Sequence, residues 1–282
     1  MPIFDTPKPI AATVTFEVGT LRIVAGDRAD TVVDVRPSSA SRDADVKAAE
    51  RTRVEYADGK LVVKGPKERS LFGKGSSIEV DIALPAGSEV RTTVTMAHIT
   101  AEGALGEGEF KTSAGDVRIE RVGEVRAGTG FGDVTIGHAN GPAHATTGSG
   151  EIRLGEVRGA VVAKNSNGAV DLGDVEGAVT AKTASGSVTI GRATADVSVK
   201  TASGNIRVGE LVRGTSELET AAGRIEVGIR EGTAAWLDVR TRGGAVHRTL
   251  EEVGASEAPG EATDTLRVRA RTGFGDITIH RA

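Results

Sequence analysis

Between residues 112 and 228 the chain alternates apolar and polar positions in one recurring phrase: Thr-x-x-Gly-x-(Val/Ile)-x-(Val/Ile/Leu)-Gly. The motif glycines are Gly115, Gly132, Gly150, Gly168, Gly186, Gly204 and Gly223, spaced by 17 to 19 residues, with Gly244 and Gly275 at wider intervals. Two residues after each stands a β-branched residue: Val117, Val134, Ile152, Val170, Val188, Ile206, Ile225, Val246 and Ile277. Four after each stands an aliphatic one, with Arg248 the one departure. Period two with one apolar face is the mark of a half-buried strand, and β-branched residues suit a pleated surface.

Counting back from each motif Thr gives a second short strand. Ala127, Ala145, Ala163, Ala181, Val199, Leu218 and Val239 lie two before it, and Ser216 is an exception four before it. Each period therefore holds two strands that cannot bury their faces alone, which predicts stacked rungs of about 18 residues. Each strand would pair in parallel with its copies, about 4.7–4.9 Å away. The expected fold is all-β: a parallel, β-helix-like solenoid of about nine or ten two-strand rungs over residues 91–282, with an N-terminal β cap over residues 1–90. The motif Thr, or Asn165 in one rung, is expected to hydrogen-bond to its copies or to the turn backbone.

The first ninety residues lack the period. Residues 12–24 read as a hairpin turning at Gly19-Thr20, and 31–36 as a strand closed by Pro37. Residues 38–50 suggest a short helix capped by Ser41. Arg53–Tyr56 and Lys60–Lys64 flank Asp58-Gly59, a hairpin turn signal. Residues 65–77 read as a basic loop, 78–84 as a strand, and 89–95 as the start of the first irregular rung. Late in the chain, 251–263 reads as an inserted acidic loop. After it Thr272-Gly-Phe-Gly-Asp-Ile-Thr-Ile279 nearly copies Thr129-Gly-Phe-Gly-Asp-Val-Thr-Ile136, so the chain is expected to finish inside the stack.

Totals narrow the picture little. The net charge of −4 implies no strong pull toward nucleic acid. Cysteine is absent, which excludes disulfides and thiolate chemistry. No apolar run approaches a membrane span. The first ten residues show no basic region followed by an apolar one, so a cytoplasmic protein is expected.

Three sets of residues carry candidate chemistry. Asp116, Asp133 and Glu151 follow the motif glycine in three successive rungs. They are either solvated turn residues, or carboxylates one rung apart, near the separation used by retaining glycosidases or able to hold Ca²⁺. Lys164, Lys182 and Lys200 precede the motif Thr, with Lys111, Arg240 and Arg271 in the same phase. They either splay into water beside Glu156, Asp174, Glu210 and Glu219 or face a polyanion or acidic partner. No aromatic residues lie beside them to stack bases. Phe131 and Phe274 read as corner packing or as exposed contact points. The histidines (His98, His138, His144, His247, His280) read as surface or turn residues. No phosphate loop, zinc spacing or dinucleotide fingerprint appears, so no cofactor is expected.

The Thr-Gly-Phe-Gly-Asp-Val-Thr-Ile and Thr-Ala-Ser-Gly-Ser-Val-Thr-Ile repeats, the Val80-Asp-Ile-Ala-Leu-Pro-Ala-Gly87 approach and the opening Phe4-Asp-Thr-Pro7 together resemble the bacterial putative-adhesin family of domain-of-unknown-function repeat proteins common in actinomycetes. The resemblance covers nearly the whole chain. It implies a β-solenoid related to repeat domains of some envelope-stress proteins, and it implies no catalytic residues. The expected function is a non-enzymatic scaffold or interaction module. It would bind an unidentified protein or polymer along a flat face, or join copies end to end. The alternative is a carbohydrate-binding or carbohydrate-active solenoid using Asp116, Asp133 and Glu151.

Overall fold

The computed structural model describes residues 1–66, 75–249 and 264–282. The chain divides into two compact units, Met1–Gly141 and Pro142–Ala282; the second is a stack of parallel rungs as the repeat predicts, and the first joins parallel rungs to antiparallel strands and one short helix.

The first unit contains β1 (Ile3–Asp5), β2 (Ala11–Gly26), β3 (Asp30–Pro37), α1 (Asp43–Arg51), β4 (Arg53–Ala57), β5 (Lys60–Lys64), β6 (Ile78–Pro85), β7 (Glu89–Lys111), β8 (Val117–Phe131) and β9 (Val134–Ala139). The hairpin expected at 12–24 is not formed: β2 is one strand bent at Gly19. Its first half pairs in parallel with β5 and its second half with β6, while β7 runs parallel along its other edge from Ala11↔Glu89 to Ala25↔Gly103. The reason lies in Gly19, which has φ +147° and whose missing Cβ would sit 1.7 Å from the Ile78 carbonyl oxygen. It is a corner glycine of the stack rather than a hairpin residue, with Leu21 and Ile23 buried two and four positions later.

Beyond β6 the pairing turns antiparallel, through β3 to β1, and β4 closes on β5. The β4–β5 turn is the expected one, with positive φ at both Asp58 and Gly59. Helix α1 forms where its polar, Ala-rich sequence allows, but Arg42 occupies the cap position without a side-chain capping bond. Ser41, expected there, instead bonds the Ser39 hydroxyl. Most of the basic loop (67–74) and all of 251–263 lie outside the described residues. From β7 onward the rungs run in sequence order, Ile99↔Val117 and then Val117↔Val134.

The second unit stacks strand pairs. They are β10 (Ala143–Ser149) with β11 (Ile152–Val157), β12 (Val161–Asn167) with β13 (Val170–Val175), and β14 (Val179–Ser185) with β15 (Val188–Ala193). Then come β16 (Val197–Ser203) with β17 (Ile206–Leu211) and β18 (Gly214–Ala222) with β19 (Ile225–Ile229). The last are β20 (Ala234–Gly243) with β21 (Val246–Arg248) and β22 (Thr265–Phe274) with β23 (Ile277–Arg281). Like sits on like: Ile152, Val170, Val188, Ile206 and Ile225 form one inner column in register, and all five are buried. Each such aliphatic contributes about 1.5–3 kcal/mol when fully buried, so a rung is held mainly by its neighbours.

The last rungs are stacked out of chain order. β22 pairs with β18 and β23 with β19, while β20 and β21 lie on the far side of β22 and β23. The C-terminal rung is thus inserted before its predecessor in the stack. Side chains explain the exchange. The rung Thr265–Arg281 offers Val268, Ala270, Ile277 and Ile279, all buried. The rung Ala234–Arg248 has Arg248 at an inward phase, opposite Ile279. An arginine there cannot be enclosed between two apolar rungs without a large desolvation cost, so this rung takes the end position, where Arg248 is exposed.

Candidate functional site

Two side-chain ladders join successive rungs. The motif Thr is buried in every described rung but that of Thr241, and in most rungs, Thr183 excepted, it donates its hydroxyl to the corner carbonyl of the rung below. Thr129 reaches Gly115 at 3.0 Å, Thr201 reaches Gly186 at 3.2 Å and Thr220 reaches Gly204 at 3.0 Å. The Asn165 amide does the same to Gly150 at 2.9 Å. Of the two expectations for this residue, the turn backbone is therefore its partner.

The second ladder follows the glycine. The Asp116 carboxylate accepts the Asp133 backbone N–H at 3.0 Å, and the His98 ring nitrogen accepts that of Asp116 at 3.2 Å. In the second unit Ser187 accepts from Asn205, Asn205 from Arg224, and Asp276 from Ala245. This position therefore caps an otherwise unpaired corner amide, which is why it favours short side chains bearing an oxygen acceptor. Asp116 and Asp133 do stand one rung apart, through the Val117↔Val134 register. Yet Asp116 is engaged with backbone and with His98, 3.4 Å away. Glu151 belongs to the second unit and pairs with Arg153. Among the described residues no group of three or more His, Asp or Glu side chains gathers in metal-holding geometry.

The lysine ladder is in register: Thr146, Lys164, Lys182, Lys200 and Glu219 stand opposite one another in turn. All three lysines are exposed. Lys200 pairs with Glu219 at 3.0 Å and Glu217 at 3.9 Å. The Glu219 hydrogen bond, with the charges of Glu219 and Glu217, holds its ammonium above the usual lysine range. Among the described residues Lys164 and Lys182 make no ion pair. Glu210, expected to help the lysines, pairs instead with Arg192 and Arg230.

Side chains alternate across a strand, so the columns flanking the lysines on this face are known. They are small: Ser166, Ala184 and Ala202 on one side, Val162, Thr180 and Ser198 on the other. The other sheet of the unit behaves differently. There Arg153 stands opposite Asp171 and Arg207 opposite Glu226, opposite charges in register, with Arg207 and Glu226 paired at 3.6 Å. This face sets opposite charges in register at two positions, with Glu156 opposite Asp174 the like-charged exception, while the other stacks three lysines between columns of small residues.

Phe131 and Phe274 are 69% and 72% exposed. They project at corners and do not pack there. Met96, exposed and bridged through Ala114 to Phe131, marks the same corner column in the first unit. Sequence reasoning placed Arg240 and Arg271 in the lysine phase but missed their gathering with three further arginines at the stack end. Arg240 and Arg242 on β20 lie beside Arg267, Arg269 and Arg271 on β22, and the exchanged rung order leaves β20 outermost.

The family model described as Toastrack DUF4097 matches residues 13–280. No curated protein matches the chain. Among solved structures, a putative cell adhesion protein from Clostridium sporogenes is 14% identical at a TM-score of 0.24, covering 100% of this chain and 98% of that one. A putative adhesin from Bacteroides fragilis is 12% identical at a TM-score of 0.36, covering 99% and 95%.

Proposed function

The chain belongs to the Toastrack DUF4097 family, and from that premise we propose that it is a non-enzymatic β-solenoid interaction module. An acidic protein or polymer would dock on the flat lysine face of the second unit. The observation that carries this reading is the in-register Lys164–Lys182–Lys200 ladder flanked by small residues. Like charges one rung apart repel within the Debye length of about 8 Å at physiological salt. An anionic partner relieves that repulsion, and the low flanking side chains let a flat surface approach. Carbohydrate chemistry at Asp116, Asp133 and Glu151 is not the reading we favour, because Asp116 already caps the next rung's amide.

Poly-L-glutamate titrated into the wild-type protein at low salt tests this. Binding is expected, weakening as salt rises and falling at least tenfold in Lys164→Glu/Lys182→Glu. Equal binding by that variant, with its fold intact by circular dichroism, overturns the reading.

A further inference from the structure

Among the described residues the outermost rung of the second unit leaves a strand edge unpaired. β20 pairs with β22 on one side, and no other strand among the described residues pairs along its second side. Such an edge presents unmatched backbone N–H and C=O groups, which recruit another extended chain. Its side chains narrow the recruit. Trp236, Asp238, Arg240 and Arg242 point to one face, and Trp236 is 56% exposed. Asp238 is shared among Arg240 at 3.1 Å, Arg269 at 3.4 Å and Arg271 at 3.5 Å. One aspartate on the edge strand is thus shared by three arginines, with Arg242 further along the same strand and Arg267 opposite Trp236. Glu217, one rung further in, reaches Arg269 only at 3.9 Å.

We propose that this edge takes up an extended peptide carrying acidic residues at alternate positions. An added strand would place every second side chain directly opposite its counterpart on β20, with Cβ atoms about 4.5–5.5 Å apart. Carboxylates opposite Arg240 and Arg242 then meet both guanidinium groups at once, and the strand backbone supplies the rest of the affinity. A second copy of this chain fits less well, because its edge would bring the same excess of arginine. A nucleic acid would use the charge but not the backbone edge. The site continues the lysine column, through Glu219 and Arg271 to Arg240, at the end of the same sheet face; it uses the strand edge rather than the lysines and does not depend on that reading.

Trp236 is the sole tryptophan of the chain, so its emission reports on this edge alone. The probe is an end-blocked synthetic peptide alternating Val and Glu. Its control has the same composition with the glutamates grouped in one block. The alternating peptide is expected to shift Trp236 emission and to bind at least tenfold more tightly than the block peptide. Arg240→Glu/Arg242→Glu should lose that binding, and Lys164→Gln/Lys182→Gln should keep it. Besides a failure of the lysine control, four results overturn the proposal: equal binding of the two peptides, retention by the arginine variant, tighter binding of a single-stranded oligonucleotide, or concentration-dependent burial of Trp236 without peptide. The last would make a second copy the occupant. Loss in the lysine variant alone would overturn this site while leaving the flat-face reading intact.

Discussion

The Thr272 hydroxyl donates to the Gly223 carbonyl oxygen at 2.9 Å, across 49 residues of chain. The contact is the one that Thr129, Thr201 and Thr220 make with the rung beneath them. Its length in sequence records that the last rung has slipped in ahead of the rung before it. Thr241 completes the exchange by donating to Gly275 at 3.0 Å.

Corner glycines should be irreplaceable for two reasons at once. Gly204 has φ +153°, and a Cβ there would lie 2.1 Å from the Gly186 carbonyl oxygen. Gly204→Ala should cost more than about 2 kcal/mol, since strain and backbone overlap combine. Gly26→Ala, with nothing within 4 Å of the added carbon, should fall within about 0.5 kcal/mol of wild type. Urea denaturation of the two variants makes the comparison.

The Thr ladder should be uneven. Thr220→Val removes the bond to Gly204 and should cost about 1 kcal/mol. The buried Thr183 hydroxyl finds no partner, so Thr183→Val should be neutral or stabilising. Chemical denaturation midpoints at unchanged slope would show the difference.

Ser216 interrupts an apolar column, standing between Val197 and Val268 with its hydroxyl buried and unpartnered. Ser216→Val should restore the column and stabilise by about 1 kcal/mol, by removing an unsatisfied polar group. A lower melting temperature would show that the site lacks room for the extra methyl group.

In the first unit the Glu109 carboxyl is held below its ordinary range by hydrogen bonds from Lys111 and Arg91. The folded state therefore binds that proton less readily than the unfolded state. The stability so contributed is complete above the ordinary carboxylate range and is lost as pH falls through the lowered value. Glu109→Gln should flatten the acid limb of a melting-temperature profile between about pH 2 and 6. An unchanged limb would place the acid sensitivity elsewhere.

Much of the architecture was legible because the inner columns are written into the period: Val170, Val188 and Ile206 announce both face and register. Gly19 was misread because Phe16 stands where a Thr would have marked the corner, leaving a Gly-Thr pair that resembles a hairpin turn. The order of the last rungs was hidden for another reason. Stacking order depends on which rung tolerates an exposed edge. Arg248 carried that signal, visible as a departure from pattern but silent about position. The lysine ladder could be read directly, since register alone creates it. The place of the arginine cluster could not, because β20 becomes the outermost strand only through the exchange.

Paired cysteines test that order most directly, in a chain with no cysteine of its own. Glu219 stands opposite Arg271, and Arg271 opposite Arg240. Glu219→Cys/Arg271→Cys should oxidise readily to an intramolecular disulfide, the Cα separation of neighbouring strands lying within the range of about 4.4–6.8 Å that the bond accepts. Glu219→Cys/Arg240→Cys, two rungs apart, should not. Cross-linking of the second pair without the first would return the rungs to chain order and contradict the account.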